Sequence, residues 1–125
     1  MGYRVLVIDD DEEIARLVTV LLKGADWICL WAGTGESGWT QALAAAPDVI
    51  LLDLNLPGIG GRELCGRIKS EPRLSRVPVI ISSADHREVR ACLLDRTMAA
   101  DDFLVKPFEG EVLLARLKKA VGQAG

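Results

Sequence analysis

Positive charge is in short supply in this chain: of 125 residues, 15 are Lys or Arg against 18 Asp or Glu, a formal net charge of −3. That balance argues against an electrostatic grip on nucleic acid or on an anionic membrane, both of which need clustered cations. It also leaves carboxylates to spare for a cation. Cysteine is sparse, with Cys29, Cys65 and Cys92 only, an odd number without CxxC spacing. Neither a disulfide framework nor a zinc cluster is suggested, and a reducing cytoplasm is the expected compartment. Long apolar runs are missing as well. No stretch approaches the roughly 20 residues a membrane helix needs. The run Val5 to Ile8 near the start is shorter than a signal-peptide core of about 7 to 15 residues. A soluble cytoplasmic protein without a membrane partner is expected.

What is present suits one packed domain. Half the residues are apolar and 26% are charged, enough to fill a core in a chain of this length. Tyr3 to Ile8 is a Val- and Ile-rich run of the kind buried on both faces of a sheet, and it stops at Asp9. From Asp11 the period changes. Ile14, Leu17, Val18, Leu21 and Leu22 form one helical stripe, with Gly24 as its stop. A second strand is expected over Trp27 to Ala32 and a helix over Glu36 to Ala45, ended by Pro47. The third strand, Val49 to Leu52, is closed by Asp53. A turn containing Pro57, Gly58, Gly60 and Gly61 then leads to a helix over Arg62 to Lys69. Val79 to Ile81, a helix over Glu88 to Arg96, Phe103 to Val105 and a helix over Glu109 to Val121 complete the alternation.

Five strand-helix units imply a parallel sheet, since parallel neighbours require crossovers and these are right-handed. The expected fold class is α/β: a doubly wound five-stranded parallel sheet of order 2-1-3-4-5 with five helices on both faces. Its binding crevice lies at the carboxyl ends of strands 1 and 3, where the winding reverses. Residues 1–121 are expected to form the domain, and 122–125 a short tail or the start of a linker.

The polar residues that interrupt the apolar strands all do so at carboxyl ends: Asp9 and Asp10, then Asp53, Ser83 and Lys106. One such Asp alone reads more readily as a helix cap. Together they converge on one crevice, and crowded carboxylates repel unless a proton or cation joins them. Mg²⁺ suits such oxygen ligands. Asp10 and Asp53 are the first-choice ligands, with Asp9 acting directly or through water and the backbone carbonyl of Asn55 completing the set. An Asp beside such a cation can attack phosphorus to form an aspartyl phosphate. Lys106 would then supply an ammonium and Ser83 a hydroxyl donor to the phosphoryl oxygens.

The segments VLVIDDDEEI, DLNLPGIGG, PVIISSAD and DDFLVKPF resemble, in order, the four signature segments of response-regulator receiver domains, whose fold is flavodoxin-like. The resemblance covers nearly the whole chain. It implies a phosphorylation-controlled switch of a two-component or phosphorelay system, in which a histidine kinase or histidine phosphotransfer protein phosphorylates Asp53. It also implies Mg²⁺ on Asp9 and Asp10, Ser83 as the switch hydroxyl, Phe103 as the switch aromatic and Lys106 as the lysine before proline. Ser83 is preferred to Ser82 because it directly precedes the small Ala84. The output would pass through the surface of helix 4, strand 5 and helix 5 to a downstream domain or protein, and the same face could form a homodimer. Such a domain catalyses its own phosphorylation and slow dephosphorylation and turns over no separate substrate.

This sequence departs from the family pattern in places. Phe103 stands where Tyr is frequent, Ala99 where Gly is common, and Ser83 to Lys106 is one residue longer than usual. Trp27, Trp31 and Trp39 are unusual for the second strand and helix. Trp39 reads as core, and an exposed Trp31 as a mark of a partner surface. His86 reads as a solvated loop residue, so the phosphodonor histidine lies on another protein. Asp101 and Asp102 read as solvated or capping groups, Arg87, Arg90 and Arg96 as a solvated helix face, and the glycines as turn formers. A flavodoxin-like cofactor binder would need a phosphate loop where this chain has DDDEE, a sequence that repels phosphate. A Mg²⁺-dependent phosphohydrolase would need a second acid/base and a cap. A degenerate receiver would lack some of Asp10, Asp53, Ser83 and Lys106.

Overall fold

The computed structural model describes residues 2–122. Positions 123–125, most of the expected tail, lie outside the described residues. The elements alternate as β1 (Tyr3–Ile8), α1 (Glu12–Leu21), β2 (Trp27–Ala32), α2 (Gly35–Ala45), β3 (Val49–Asp53), α3 (Gly61–Ser70), β4 (Val79–Ser83), α4 (His86–Leu94), β5 (Asp102–Val105) and α5 (Gly110–Ala120). One five-stranded sheet carries the order β2-β1-β3-β4-β5, and every neighbouring pair is parallel.

Strand alternation sorts the core into two layers. Leu6, Ile8, Ile50, Leu52 and Ile81 face α2, α3 and α4 through Ala42, Leu64, Ile68 and Cys92. Val5, Val7, Leu51 and Ile80 face α1 and α5 through Ala15, Val18, Leu113 and Leu117. The central strands are thus buried on both sides, which is why they read as unbroken apolar runs rather than alternating ones. Each fully buried Leu, Ile or Val contributes about 1.5–3 kcal/mol over its exposed state.

The helix starts are set by short polar side chains. Asp11 accepts from the Glu13 amide at 3.0 Å, Thr34 from that of Ser37 at 3.1 Å, and Asp85 from that of Arg87 at 2.8 Å. The Asp85 cap starts α4 at His86, two residues before the position the apolar pattern marks. The helix also ends earlier, at Leu94, because the Asp95 carboxylate turns to accept from the amide and hydroxyl of Thr97 at 2.9 and 2.6 Å. His86 is therefore an exposed first-turn helix residue and not a loop residue. β3 and β4 each run further than the apolar run, taking in Asp53 and Ser82–Ser83, because their ladders continue to Asp53 opposite Ser82 and Ser83 opposite Val105.

Candidate functional site

The carboxyl ends of β1, β3, β4 and β5 meet at the point where the strand order reverses. Asp9 directly follows β1 and is 1% exposed, Asp53 ends β3 and is 6% exposed, and Asp10 is open to solvent. One carboxylate oxygen from each of the three lies within 4.8 Å of the others. Lys106, just beyond β5, closes the crevice: its Nζ donates to Asp9 Oδ2 at 2.6 Å and lies 3.6 Å from Asp53 Oδ2. The carboxylates are aimed by the backbone. The Asp11 amide donates to Asp9 Oδ1 at 2.9 Å, and the Asn55 amide to Asp53 Oδ1 at 3.2 Å.

The electrostatics follow from burial and crowding. Burial pushes the Asp9 carboxyl above its ordinary value, and the neighbouring Asp53 charge adds to the rise. The hydrogen bonds from Lys106 and the Asp11 amide only partly oppose it. For Lys106 burial is the largest single influence and works against the ammonium. The combined hydrogen bonds and charges of Asp9 and Asp53 outweigh it, so its pKa is raised and the cation is retained.

Opposite this acidic wall, Ser83 Oγ accepts from the Asp85 amide at 3.1 Å and from Asn55 Nδ2 at 3.4 Å. Asn55 Nδ2 also donates to Glu88 Oε1 at 3.0 Å, linking the loop after β3 to α4. The Lys106 amide donates to the Ser83 carbonyl at 2.8 Å, so hydroxyl and ammonium are carried by adjoining strand ends. The Lys106–Pro107 bond is cis. Phe103 is half-buried, two residues before Val105, the register partner of Ser83; it packs against the α2-α3-α4 layer.

Two glycines keep this crevice in shape. A Cβ on Gly61 would lie 2.4 Å from the Asp53 carbonyl oxygen, so α3 can start against the Asp53 backbone only without a side chain. Gly58 has φ +75°, a left-handed turn conformation that glycine adopts without strain. The turn reading of this glycine run thus holds at Gly58, while Gly61 serves a close approach.

Asp9, Asp10, Asp53 and Lys106 are brought together, and Asn55 links Asp53 to Ser83. Phe103 stands apart from the carboxylates on the β4–β5 face. Asp101 and Asp102 are remote from the crevice but are more than solvated groups: Lys69 Nζ lies 2.7 Å from Asp101, which also accepts from the Val79 amide, and Arg116 reaches Asp102 at 2.6 Å. Long basic side chains on α3 and α5 reach them, a pairing no local sequence signal reveals. Trp39 packs against the core as expected, and Arg87, Arg90 and Arg96 are exposed. Sequence reasoning missed Glu88, whose tie to Asn55 spans 33 residues. Ser82, set aside in the sequence in favour of Ser83, is buried, and its Oγ has no hydrogen-bond partner among the described residues.

These features define a doubly wound α/β domain with an acidic crevice at its switch point, closed by Lys106 and flanked by Ser83 at the end of β4. The chain belongs to the response regulator receiver domain family, whose model matches residues 5–118, and is thus a receiver domain of two-component signalling. It is 34% identical over 118 residues to the DNA-binding response regulator MtrA of Mycobacterium tuberculosis, covering 94% of this chain and 50% of that protein. The chain spans about half the length of the curated relatives it matches. Among solved structures, the chemotaxis response regulator CheY4 of Vibrio cholerae superposes with a TM-score of 0.81 at 26% identity, over 96% of this chain and 99% of that one. The BeF3-activated DrrB receiver domain superposes with a TM-score of 0.80 at 31% identity, over 98% and 100%. Among the described residues no helix is long and apolar enough to cross a membrane.

Proposed function

We propose that residues 1–121 act as the phosphoacceptor switch of a two-component or phosphorelay system, with Asp53 as the residue phosphorylated. The observation that carries this reading is the meeting of Asp53, Asp9 and Asp10 within 4.8 Å, with Lys106 Nζ 3.6 Å from Asp53. An all-oxygen, strongly acidic donor set suits a small hard cation, and Asp9, Asp10, Asp53 and the Asn55 carbonyl would hold Mg²⁺. Bound there, the ion would offset negative charge on the transferred phosphoryl group.

Asp53 Oδ attacks phosphorus as the phosphorus–nitrogen bond of a phosphohistidine breaks, and the imidazole leaves with the electron pair. Asp53 reacts as the carboxylate, so no proton need be removed from it. Lys106 shifts from its bond with Asp9 toward a phosphoryl oxygen, and Ser83 turns its hydroxyl inward from the Asp85 amide. Phe103 follows into the space beside β4, and the face of α4, β5 and α5 changes. That face carries exposed Leu93, Leu94 and Val112. Arg87, Arg90, Leu93 and Val105 line a depression on it, a surface suited to a downstream domain or to a second copy of the chain. Water later hydrolyses the acyl phosphate at the same site, so the domain resets itself without a separate substrate. The donor is a cytoplasmic histidine kinase or phosphotransfer protein.

Acetyl phosphate with Mg²⁺ should add one phosphoryl group in intact-mass spectrometry, and Asp53→Asn should add none. Equal labelling of the two proteins would remove Asp53 from its role.

A further inference from the structure

Trp31 is a large aromatic 38% exposed on the edge strand β2. Its indole Nε1 donates to the backbone carbonyl of Asp9 at 2.8 Å. The Asp9 amide in turn donates to the carbonyl of Ala32 at 3.0 Å. Both backbone groups of Asp9 are therefore tied to consecutive residues at the end of β2, one through a side chain and one through the main chain.

The carbonyl held by Trp31 belongs to the peptide that joins Asp9 to Asp10, two of the three carboxylates in the cluster. A peptide unit is planar, so fixing its carbonyl fixes the direction in which the chain leaves toward Asp10. Asp10 needs that help. It is exposed, and among the described residues its carboxylate has no hydrogen bond or ion pair. Asp9, by contrast, is held by Lys106 and by the Asp11 amide. The Trp31 main chain is held from α2: Gln41 Nε2 donates to the Trp31 backbone carbonyl at 2.8 Å and to Ser37 Oγ at 3.3 Å. The ring also lies against Gly33, where a Cβ would be 3.2 Å from Trp31 Cζ2.

We propose that Trp31 is a positioning residue for the cation site, orienting the Asp9–Asp10 peptide so that the Asp10 carboxylate is presented to Mg²⁺. The inference rests on the reading of Asp9, Asp10 and Asp53 as that site. Groups that orient metal ligands from behind carry a share of the affinity, since without them the ligand must be ordered when the ion binds.

Trp31→Phe keeps an aromatic ring and removes the N–H. In titration calorimetry of the unphosphorylated protein it should weaken Mg²⁺ binding about three- to ten-fold, while Trp39→Phe leaves the dissociation constant at the wild-type value. Both variants are checked for wild-type far-ultraviolet circular dichroism in EDTA. Wild-type affinity in folded Trp31→Phe overturns the inference and leaves the assignment of the site standing; a wild-type protein that binds no Mg²⁺ overturns both. Should Trp31→Phe fail to fold, the indole N–H resonance of Trp31 in the wild-type protein decides. The inference requires an indole proton protected from solvent exchange that shifts with Mg²⁺ at the same midpoint as the Asp10 amide. An indole proton that exchanges freely and ignores Mg²⁺ overturns it.

Discussion

Asp9 carries the plainest electrostatic cost in the molecule, a carboxylate 1% exposed with Asp53 beside it and a single ammonium against it. Its folded-state pKa lies above the ordinary 3.8, chiefly through burial. A carboxyl raised in this way gives stability that is full below the unfolded value and is lost as pH rises through the folded value. Lys106 stays charged throughout that window, because its own pKa is raised from 10.5. Without divalent cations, the melting temperature of Asp9→Asn minus that of the wild type should therefore increase as pH is raised from about 4 to 7. A difference that stays flat across the range would contradict the burial of an ionised Asp9. Ser82 makes a second residue-scale case. Its Oγ is buried without a partner among the described residues, and an unsatisfied buried hydroxyl costs about 1–3 kcal/mol. Ser82→Ala should be neutral or stabilising in chemical denaturation, whereas a loss above about 1 kcal/mol would mean that the hydroxyl has a partner.

At the scale of elements, the crevice depends on how closely α3 approaches the end of β3. The contact at Gly61 allows no side chain, and a methyl group there would press on the Asp53 carbonyl and on Leu54. Gly61→Ala should destabilise the fold by roughly 1–3 kcal/mol and slow labelling of Asp53 by acetyl phosphate. Wild-type stability and labelling would show that the approach is loose. Strands were easier to read from sequence than helix ends. Val49 to Leu52 and Val5 to Ile8 are unbroken apolar runs with a single packing solution, so their place in the sheet was legible. The limits of α4 were not, because they depend on where Asp85 and Asp95 direct their side chains and not on the apolar stripe. Glu88 was hidden for a related reason. A polar-face helical Glu reads in the sequence like any solvated one until the loop carrying Asn55 is placed beside it.

For the molecule as a whole, winding direction does most of the work. Once the strands are parallel and ordered β2-β1-β3-β4-β5, Asp9, Asp10, Asp53, Ser83 and Lys106 fall together at the carboxyl ends of the strands. Most of the candidate site was therefore legible before any distance was known. Trp31 was visible in the sequence as an unusual residue, but its bond to the Asp9 carbonyl crosses 22 positions and depends on rotamer and register. A ligand that binds only the folded state stabilises it. Mg²⁺ at about a hundred times its dissociation constant should raise the melting temperature by on the order of 5–10 °C, and Asp10→Asn should abolish most of that rise. No change in the wild type would count against the carboxylate cluster as a cation site. The central claim, that Asp53 is the phosphoacceptor, is met most directly by locating the phosphoryl group itself. After reaction with acetyl phosphate and Mg²⁺, the acyl phosphate is reduced with borohydride and the digested peptides are sequenced by mass spectrometry. The account predicts a single reduced residue at Asp53, absent when EDTA replaces Mg²⁺; reduction at Asp9, at Asp10 or at no residue would contradict it.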